Sequence, residues 1–151
     1  MTPPADTPNM FDREVCFADI VLSVDPINRP RTEEDDNAMA IFYEEQPLMW
    51  EFTKEMIGKT IEEVSGSIDF LDVGTGSGVW SLLVSKHTVA KNVVAIDKSS
   101  RAIQIAKQNA DRNEANIQFR HEFYNKNSVS YRSAKVIGIY APYHLYPAEA
   151  E

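Results

Sequence analysis

Residues 68–80 read IDFLDVGTGSGVW, and the rest of the chain is arranged around this stretch. A short apolar run is followed at once by glycines at alternate positions, Gly74, Gly76 and Gly78. Glycine reaches positive φ without steric cost and lets a ligand approach the backbone, so the pattern predicts a strand, a tight turn and a helix start. Free N–H groups at that helix start favour a negatively charged or oxygen-rich ligand. The alternative is a tight turn with no ligand.

The composition is that of a globular protein with an excess of negative charge. The 151 residues suit one domain, and no apolar run approaches the roughly 18 residues of a membrane span. A net charge of −8 gives no overall attraction to nucleic acid or to anionic membranes. The first residues have neither a basic nor an apolar region, so we expect no secretory signal there. The single cysteine, Cys16, indicates a reducing, cytoplasmic compartment, and we expect its side chain in the core rather than acting as a nucleophile.

Residues 1–46 are predicted to form an N-terminal arm and pre-domain segment, ahead of a main domain at residues 47–151. Residues 1–11 are polar and proline-rich, whereas residues 15–24 are apolar and fit either a strand or a short helix. The acidic run at residues 33–36 suits a solvated face or a helix start. Pro47 suits the first turn of a helix that packs on the sheet. Its apolar residues recur at helical spacing: Leu48, Met49, Phe52, Met56 and Ile57.

From Ile68 onward, strands and helices alternate, which predicts an α/β fold with a parallel sheet. Ser99 or Ser100 suits the N-cap of the second helix, and Asn113 suits its C-terminal cap. The apolar face of that helix is formed by Ala102, Ile103, Ala106 and Ala110. The predicted elements are strands at 68–73, 93–97, 117–123 and 136–140, and helices at 79–86 and 101–113.

Ligands of such sheets bind beyond the carboxyl ends of the strands, where the strand order reverses. In this chain those ends carry the glycine turn, Asp97, Glu122 and residues 140–144, so we expect these four places to surround one crevice. Asp97 is placed to accept both hydroxyls of a ribose, although an acid there also favours the dipole of the next helix. The dinucleotide fingerprint Gly-x-Gly-x-x-Gly fails at Val79, which disfavours the alternative of a nicotinamide-dependent oxidoreductase.

The run DVGTGSG at residues 72–78, VAID at residues 94–97 and the helix at residues 99–110 resemble the class I S-adenosylmethionine-dependent methyltransferases. They are similar to the branch that includes the release-factor glutamine methyltransferases and the ribosomal RNA guanine N2-methyltransferases. The resemblance covers about residues 70–143. It implies a Rossmann-like parallel sheet with flanking helices, S-adenosylmethionine as cofactor, and methyl transfer to a protein, RNA or small-molecule acceptor.

The resemblance also implies roles for individual residues. Asp72 and the turn would face the methionine end of the cofactor. Asp97 would hold the ribose hydroxyls, Glu122 would lie near the adenine amino group, and Phe123 would pack beside the ring. Lys98 would line the adenine side, with surface solvation as the alternative. The cofactor-binding residues of the turn would be Gly74, Thr75, Gly76 and Gly78.

The amino-methylating branch ends its fourth strand in Asn/Asp-Pro-Pro-Tyr, whereas this chain has YAPY at residues 140–143. Pro142 and Tyr143 match that motif, and Tyr140 replaces the polar acceptor, which leaves the backbone carbonyls to accept a hydrogen bond. The candidate catalytic residues are therefore Tyr140, Pro142 and Tyr143, the alternative being that the tyrosines only cover the sheet end. His144 is a candidate general base.

The resembled family continues with three more strands, whereas this sequence stops at Glu151. We expect a fragment, a partner chain that supplies the missing C-terminal strands, or a reduced form, and the open sheet edge favours pairing or oligomerisation. A non-catalytic methyltransferase-like module is therefore the rival of an active enzyme. No metal site is expected, because the histidines His87 and His121 show no metal-ligand spacing with each other or with Cys16.

Overall fold

The computed structural model describes residues 14–25, 45–125 and 132–139. The elements are, in chain order, β1 (Glu14–Phe17), β2 (Ile20–Ser23), α1 (Glu45–Glu63), β3 (Ile68–Val73), α2 (Val79–His87), β4 (Val93–Asp97), α3 (Ser100–Arg112), β5 (Gln118–His121) and β6 (Ala134–Ile139). The predictions for residues 1–11, 33–36 and 140–144 lie outside the described residues. None of the described helices has the length and apolar character that crossing a membrane requires.

Four parallel strands form the central sheet in the order β5-β4-β3-β6. β3 pairs with β4 on one side and with β6 on the other, and β4 pairs with β5. β4 and then β5 are therefore added on one side of β3, and β6 is added on its other side. The strand order thus reverses at β3. This confirms the predicted α/β fold, and it brings the carboxyl ends of the parallel strands to one edge.

The central strands β3 and β4 are the most deeply buried part of the sheet. Phe70 and Leu71 are 1% and 0% exposed, and residues 93–96 are buried throughout. Strands buried on both faces read as continuous apolar runs rather than as alternating patterns. The two strands that carry the glycine turn and Asp97 therefore give that edge of the sheet a rigid base.

The outer strands differ in extent from their predictions. β5 ends at His121, two residues before the predicted end, and β6 begins at Ala134, two residues before the predicted start. Gly138 of β6 lies against the ring of Phe70, because a Cβ at this position would be 2.6 Å from the ring Cζ. Glycine therefore allows β6 to approach β3 where a bulky core ring occupies the space.

Helix α1 buries a different face from the predicted one. Trp50, Ile57 and Ile61 are buried, whereas four of the five predicted core-facing residues are exposed. The exposed four are Leu48, Met49, Phe52 and Met56. The helix carries two apolar stripes, and the one with Trp50 faces the core because that ring packs edge-on against Trp80 of α2, with centroids 6.1 Å apart. An indole buries more area than a flexible methionine and adds a specific ring contact.

Residues 15–24 form a hairpin of β1 and β2 rather than a single element. Ala18 and Asp19 connect the strands with φ of 47° and 62°, the left-handed geometry of two-residue hairpin turns. Val15, Ile20 and Leu22 lie in the same core as α2 and α3. Cys16 points to the opposite face of β1 from Val15 and is exposed, so the prediction of a core cysteine is wrong.

Helices α2 and α3 lie within one residue of their predicted bounds. The Ser99 side chain accepts a hydrogen bond from the Ala102 N–H at 3.2 Å, which confirms one of the two proposed N-caps. Asn113 occupies the C-cap position. The predicted apolar face of α3 is buried: Ala102, Ile103, Ala106 and Ala110.

Candidate functional site

The carboxyl ends of β3, β4 and β5 place three of the predicted site segments at one edge. The glycine turn follows β3, Asp97 ends β4, and Glu122 follows β5. The Gly74 and Thr75 N–H groups both donate to the Ile96 carbonyl, at 2.9 and 3.0 Å, so the turn is attached to the end of β4. The Glu122 N–H donates to the Asp97 carbonyl at 3.0 Å. The sheet thus brings the described segments together, and residues 140–144 lie outside the described part.

The turn depends on glycine at three positions. Gly74, Gly76 and Gly78 have φ of 71°, 59° and 85°. A residue with a Cβ is strained in this left-handed region, which explains the alternate spacing in the sequence. The Gly78 N–H donates to the Thr75 carbonyl at 2.8 Å and closes the turn just before α2 begins.

The first and the last of these glycines serve different purposes. Gly74 is exposed, and no atom lies within 4 Å of the position its Cβ would take, so its backbone faces open space. Gly78 is buried, and its Cβ would lie 3.3 Å from the Cβ of Ala106 in α3. Gly74 can therefore be approached by a ligand, whereas Gly78 allows close packing of the turn on α3.

Asp72 lies beneath the turn rather than in the open crevice. It is 2% exposed, and its Oδ2 accepts hydrogen bonds from the Thr75 hydroxyl at 2.7 Å and from the Ser81 N–H at 3.1 Å. The Ser81 hydroxyl also donates to this oxygen. Burial raises the pKa of Asp72, while these hydrogen bonds oppose the shift. The carboxyl group joins β3, the turn and the first turn of α2.

Asp97 joins the turn to α3. Its Oδ2 accepts from the Gly76 N–H at 2.9 Å, and its Oδ1 accepts from the Ser99 N–H at 2.9 Å. The second contact shows that the alternative interpretation, an acid at a helix N-terminus, describes part of its role. The side chain is half-buried, and a carboxylate can accept about four hydrogen bonds, so capacity remains for two hydroxyl groups.

The remaining predicted cofactor residues lie beside Asp97. His121 of β5 contacts the Lys98 carbonyl through its Nε2 at 2.8 Å, which holds the ends of β4 and β5 together. Lys98 is exposed, Glu122 is half-buried, and Phe123 is 69% exposed. The Glu122 backbone is therefore hydrogen-bonded to Asp97, and the exposed Phe123 follows it in the chain. Within the described ranges no group of three or more His, Cys, Asp and Glu side chains could hold a metal ion.

Asn109 is the residue at this site that the sequence analysis missed. It is 1% exposed, and its Nδ2 donates to the Ser77 carbonyl, inside the glycine turn, at 2.9 Å. The signal was present in the sequence, because Asn109 falls at a buried position of α3, between Ala106 and Ala110. A polar side chain on an apolar stripe needs partners, and here one of them is the turn.

Comparison with known proteins shows the family to which this chain belongs. Residues 53–139, more than half of the chain, match the family model described as ribosomal protein L11 methyltransferase (PrmA). The chain is 43% identical to the ribosomal protein L11 methyltransferase of Dictyoglomus thermophilum over 65 residues, which cover 43% of this chain and 20% of that protein. It is 30% identical to the release factor glutamine methyltransferase of Bacillus subtilis over 109 residues, which cover 72% and 31% of the two chains.

A solved structure shows a weaker similarity. The chain aligns with the tRNA (uracil-54, C5)-methyltransferase of Pyrococcus abyssi, solved with S-adenosyl-L-homocysteine, with a TM-score of 0.42 and 21% identity. The alignment covers 71% of this chain and 22% of that one. This chain thus spans about a fifth to a third of the length of the relatives it matches.

Proposed function

The chain belongs to the ribosomal protein L11 methyltransferase (PrmA) family, and on that premise we propose that it is an S-adenosylmethionine-dependent methyltransferase. The observation that carries the proposal is the pairing of an open backbone at Gly74 with the half-buried carboxylate of Asp97. The two are connected through Gly76, whose N–H donates to Asp97. S-adenosylmethionine needs both features, because it contains a ribose with two hydroxyl groups and ends in an amino acid.

The residues present fit such a cofactor. Asp97 would accept the ribose hydroxyls, and the backbone at Gly74 would approach the methionine end. Glu122 would lie near the adenine amino group, Phe123 would pack beside the ring, and Lys98 would line that side. Asp72 would act through the turn, since its carboxyl group is buried against Thr75 and Ser81.

S-adenosylmethionine, when bound, supplies a methyl group on a positively charged sulfur. The contribution of this chain would be to hold the methionine end of the cofactor at Gly74 and its ribose at Asp97, and to align the acceptor, since methyl transfer depends chiefly on proximity and in-line geometry. The acidic side chains at this edge would also favour a cationic ligand. Tyr140, Pro142 and Tyr143 remain the proposed acceptor-side residues, with Tyr143 stacking on the target and backbone carbonyls accepting from it.

The methyl acceptor is proposed to be a protein, with RNA or a small molecule as alternatives. Two relatives bear names that specify protein substrates, ribosomal protein L11 and a release factor. A non-catalytic methyltransferase-like module remains the second candidate, because Tyr140 stands where the amino-methylating branch has a polar acceptor. Cofactor binding without methyl transfer to any member of a panel of proteins and RNAs would favour the module.

The test is calorimetric titration of the folded chain with S-adenosylmethionine and with S-adenosyl-L-homocysteine. We expect both to bind, and we expect Asp97→Asn to weaken binding about tenfold or more, because a hydrogen bond to a charged group is lost. Asp111→Asn, an exposed acid on α3, is the control for the loss of one negative charge. If the intact folded chain binds neither compound, the proposed function is wrong. Titration with NADH tests the oxidoreductase alternative.

Three further proposals concern the whole protein. We propose residues 47–151 as the methyltransferase-like domain and residues 1–46 as a segment before it, whose β1–β2 hairpin packs on α3. We propose a cytoplasmic location, because the single cysteine is a free thiol. We also propose that a partner chain or a second copy covers β6, one of the two outer strands of the described sheet, where Ile137 and Ile139 are exposed. Light scattering of the purified chain measures its oligomeric state.

A further inference from the structure

The outer edge of β2 is paired with two asparagine side chains. Asn109 accepts from the Ser23 N–H at 2.7 Å and donates to the Ser23 carbonyl at 3.0 Å. Asn113, one helical turn later, accepts from the Val21 N–H at 2.9 Å and donates to the Val21 carbonyl at 2.7 Å. Each amide thus reproduces the paired hydrogen bonds of a neighbouring strand, so α3 takes the place of a third strand beside the hairpin.

The hairpin is also attached to the helices at both of its ends. At the turn, the Ala18 carbonyl lies 2.6 Å from His87 Nε2 at the end of α2. At the other end, Asp25 forms a bidentate ion pair with Arg101 in the first turn of α3, at 2.5 and 2.6 Å. Asp25 is 8% exposed and the Arg101 side chain is 33% exposed, so water screens this pair in part. The hairpin therefore lies along the whole face formed by α2 and α3.

The two asparagines differ in one respect that matters for the site. The Asn113 Nδ2 makes its remaining bond to the Asn109 carbonyl, within α3. The Asn109 Nδ2 makes its remaining bond to the Ser77 carbonyl, between Gly76 and Gly78. Both N–H donors of the Asn109 amide are therefore used, one by the hairpin and one by the turn, while its oxygen accepts from the hairpin. A single rigid group therefore fixes the position of β2 relative to the glycine turn.

We infer that Asn109 is a positioning residue through which the β1–β2 hairpin holds the glycine turn in its ligand-binding shape. The hydrogen bond from Asn109 to Ser77 then links the docked hairpin to affinity for the adenosyl cofactor, so its loss lowers affinity even while the other contacts of the hairpin keep it docked; this inference rests on the proposed function. Coupling of this kind is reciprocal, so a bound cofactor stabilises hairpin docking as much as docking favours the cofactor.

The experiment compares two isosteric variants, Asn109→Asp and Asn113→Asp. In each variant a carboxylate oxygen replaces the amide NH2 group, so both donated hydrogen bonds are lost and the hydrogen bond accepted from the hairpin is kept. Only Asn109→Asp loses the hydrogen bond to the Ser77 carbonyl. We expect Asn109→Asp to weaken S-adenosyl-L-homocysteine binding about five- to tenfold, and Asn113→Asp to change it less than about twofold. Circular dichroism and urea unfolding establish that both variants fold.

A second readout does not require the cofactor. Hydrogen exchange at the Gly76 and Gly78 N–H groups is expected to accelerate about tenfold in Asn109→Asp and to stay unchanged in Asn113→Asp. A general loss of stability would instead accelerate exchange in both variants alike. In the unmodified chain, S-adenosyl-L-homocysteine is expected to slow exchange at the Val21 and Ser23 N–H groups.

The outcomes separate the two claims. Equal effects of both variants, or none, would overturn the inference while leaving the proposed function intact. Absence of binding by the unmodified chain would remove the proposed function, and exchange at Gly76 and Gly78 would still decide whether the hairpin holds the turn. If Asn109→Asp does not fold, Ser23→Pro and Val21→Pro form the matched pair, because each removes one backbone N–H donated to Asn109 or Asn113. Only Ser23→Pro is then expected to loosen the turn.

Discussion

Asp72 shows how one side chain can matter for a site without facing the ligand. Its carboxyl group is 2% exposed and accepts hydrogen bonds from Thr75 inside the glycine turn and from Ser81 after it. Asp97, at the end of the next strand, holds the same turn from its outer side through the Gly76 N–H. The turn is therefore braced by two carboxyl groups, and only Asp97 is accessible enough to contact a ligand.

Burial raises the pKa of Asp72 above its ordinary value of 3.8. The folded chain then binds this proton more tightly than the unfolded chain does, so stability falls as pH rises from 3.8 through the raised pKa. Asparagine does not titrate, so we expect the stability of Asp72→Asn not to fall in this way. The free energy of unfolding of Asp72→Asn, relative to that of the unmodified chain, should therefore increase as pH rises from 3.8 through the raised pKa. Urea unfolding at a series of pH values measures the difference, with Asp111→Asn as control. Parallel pH profiles would contradict the expectation.

At the scale of elements, packing partners decide which face of an element is buried. Helix α1 has an apolar stripe at Leu48, Phe52 and Met56, yet it buries the stripe with Trp50 against α2. The hairpin is ordered by α3, whose two asparagines complete its open edge. Strand β6 approaches β3 closely because Gly138 makes room for the Phe70 ring.

Two glycine-to-alanine substitutions test this dependence on neighbours. Gly138→Ala is expected to destabilise the fold by about 1–3 kcal/mol, because its Cβ would overlap a ring in a packed core. Gly58→Ala is expected to stabilise it by about 0.5–1 kcal/mol, because no atom lies within 4 Å of the new Cβ and alanine favours the interior of α1. Denaturant unfolding measures both. Combining Gly138→Ala with Phe70→Leu should recover part of the loss, and additive losses would show that the ring is not the cause.

At the scale of the whole molecule, the amino ends of the strands are held together by ionic contacts at the edge opposite the site. Asp69 of β3 pairs with Lys135 of β6 at 2.7 Å, and its other oxygen accepts from the Lys91 and Asn92 N–H groups before β4. The two side chains are 13% and 18% exposed, so water screens the pair only in part. One carboxylate thus connects three strands that are far apart in sequence.

Burial alone would raise the pKa of Asp69, but the hydrogen bonds from Lys135, Asn92 and Lys91 outweigh it and lower the pKa below 3.8. The stabilisation is therefore complete above pH 3.8 and is lost as pH falls through the lowered value. We expect Asp69→Asn to cost about 1–3 kcal/mol at neutral pH and to flatten the acid limb of the stability profile. Thermal unfolding from neutral to acid pH checks this, with the exposed Glu62→Gln as control. An unchanged acid limb would refute the role of Asp69.

Features that depend on a few neighbouring residues can be predicted from the sequence alone. The alternate glycines require positive φ, Ser99 caps the helix that follows it, and the apolar runs of β3 and β4 specify buried strands. The acid at Asp97 and the glycine turn also meet as expected, because parallel strands present their carboxyl ends at one edge. These predictions succeed since each rests on local geometry or on the rules of parallel sheets.

Contacts between distant parts of the chain follow from tertiary packing and could not be predicted from local sequence. Val21 and Asn113 are 92 positions apart, and nothing near either residue indicates that an amide will complete the edge of a hairpin. The buried face of α1, the exposure of Cys16 and the separate purposes of Gly74 and Gly78 likewise depend on which surfaces meet. Burial and hydrogen bonding act between surfaces that folding brings together, so local sequence specifies the elements and the turn, and packing specifies what holds them in place.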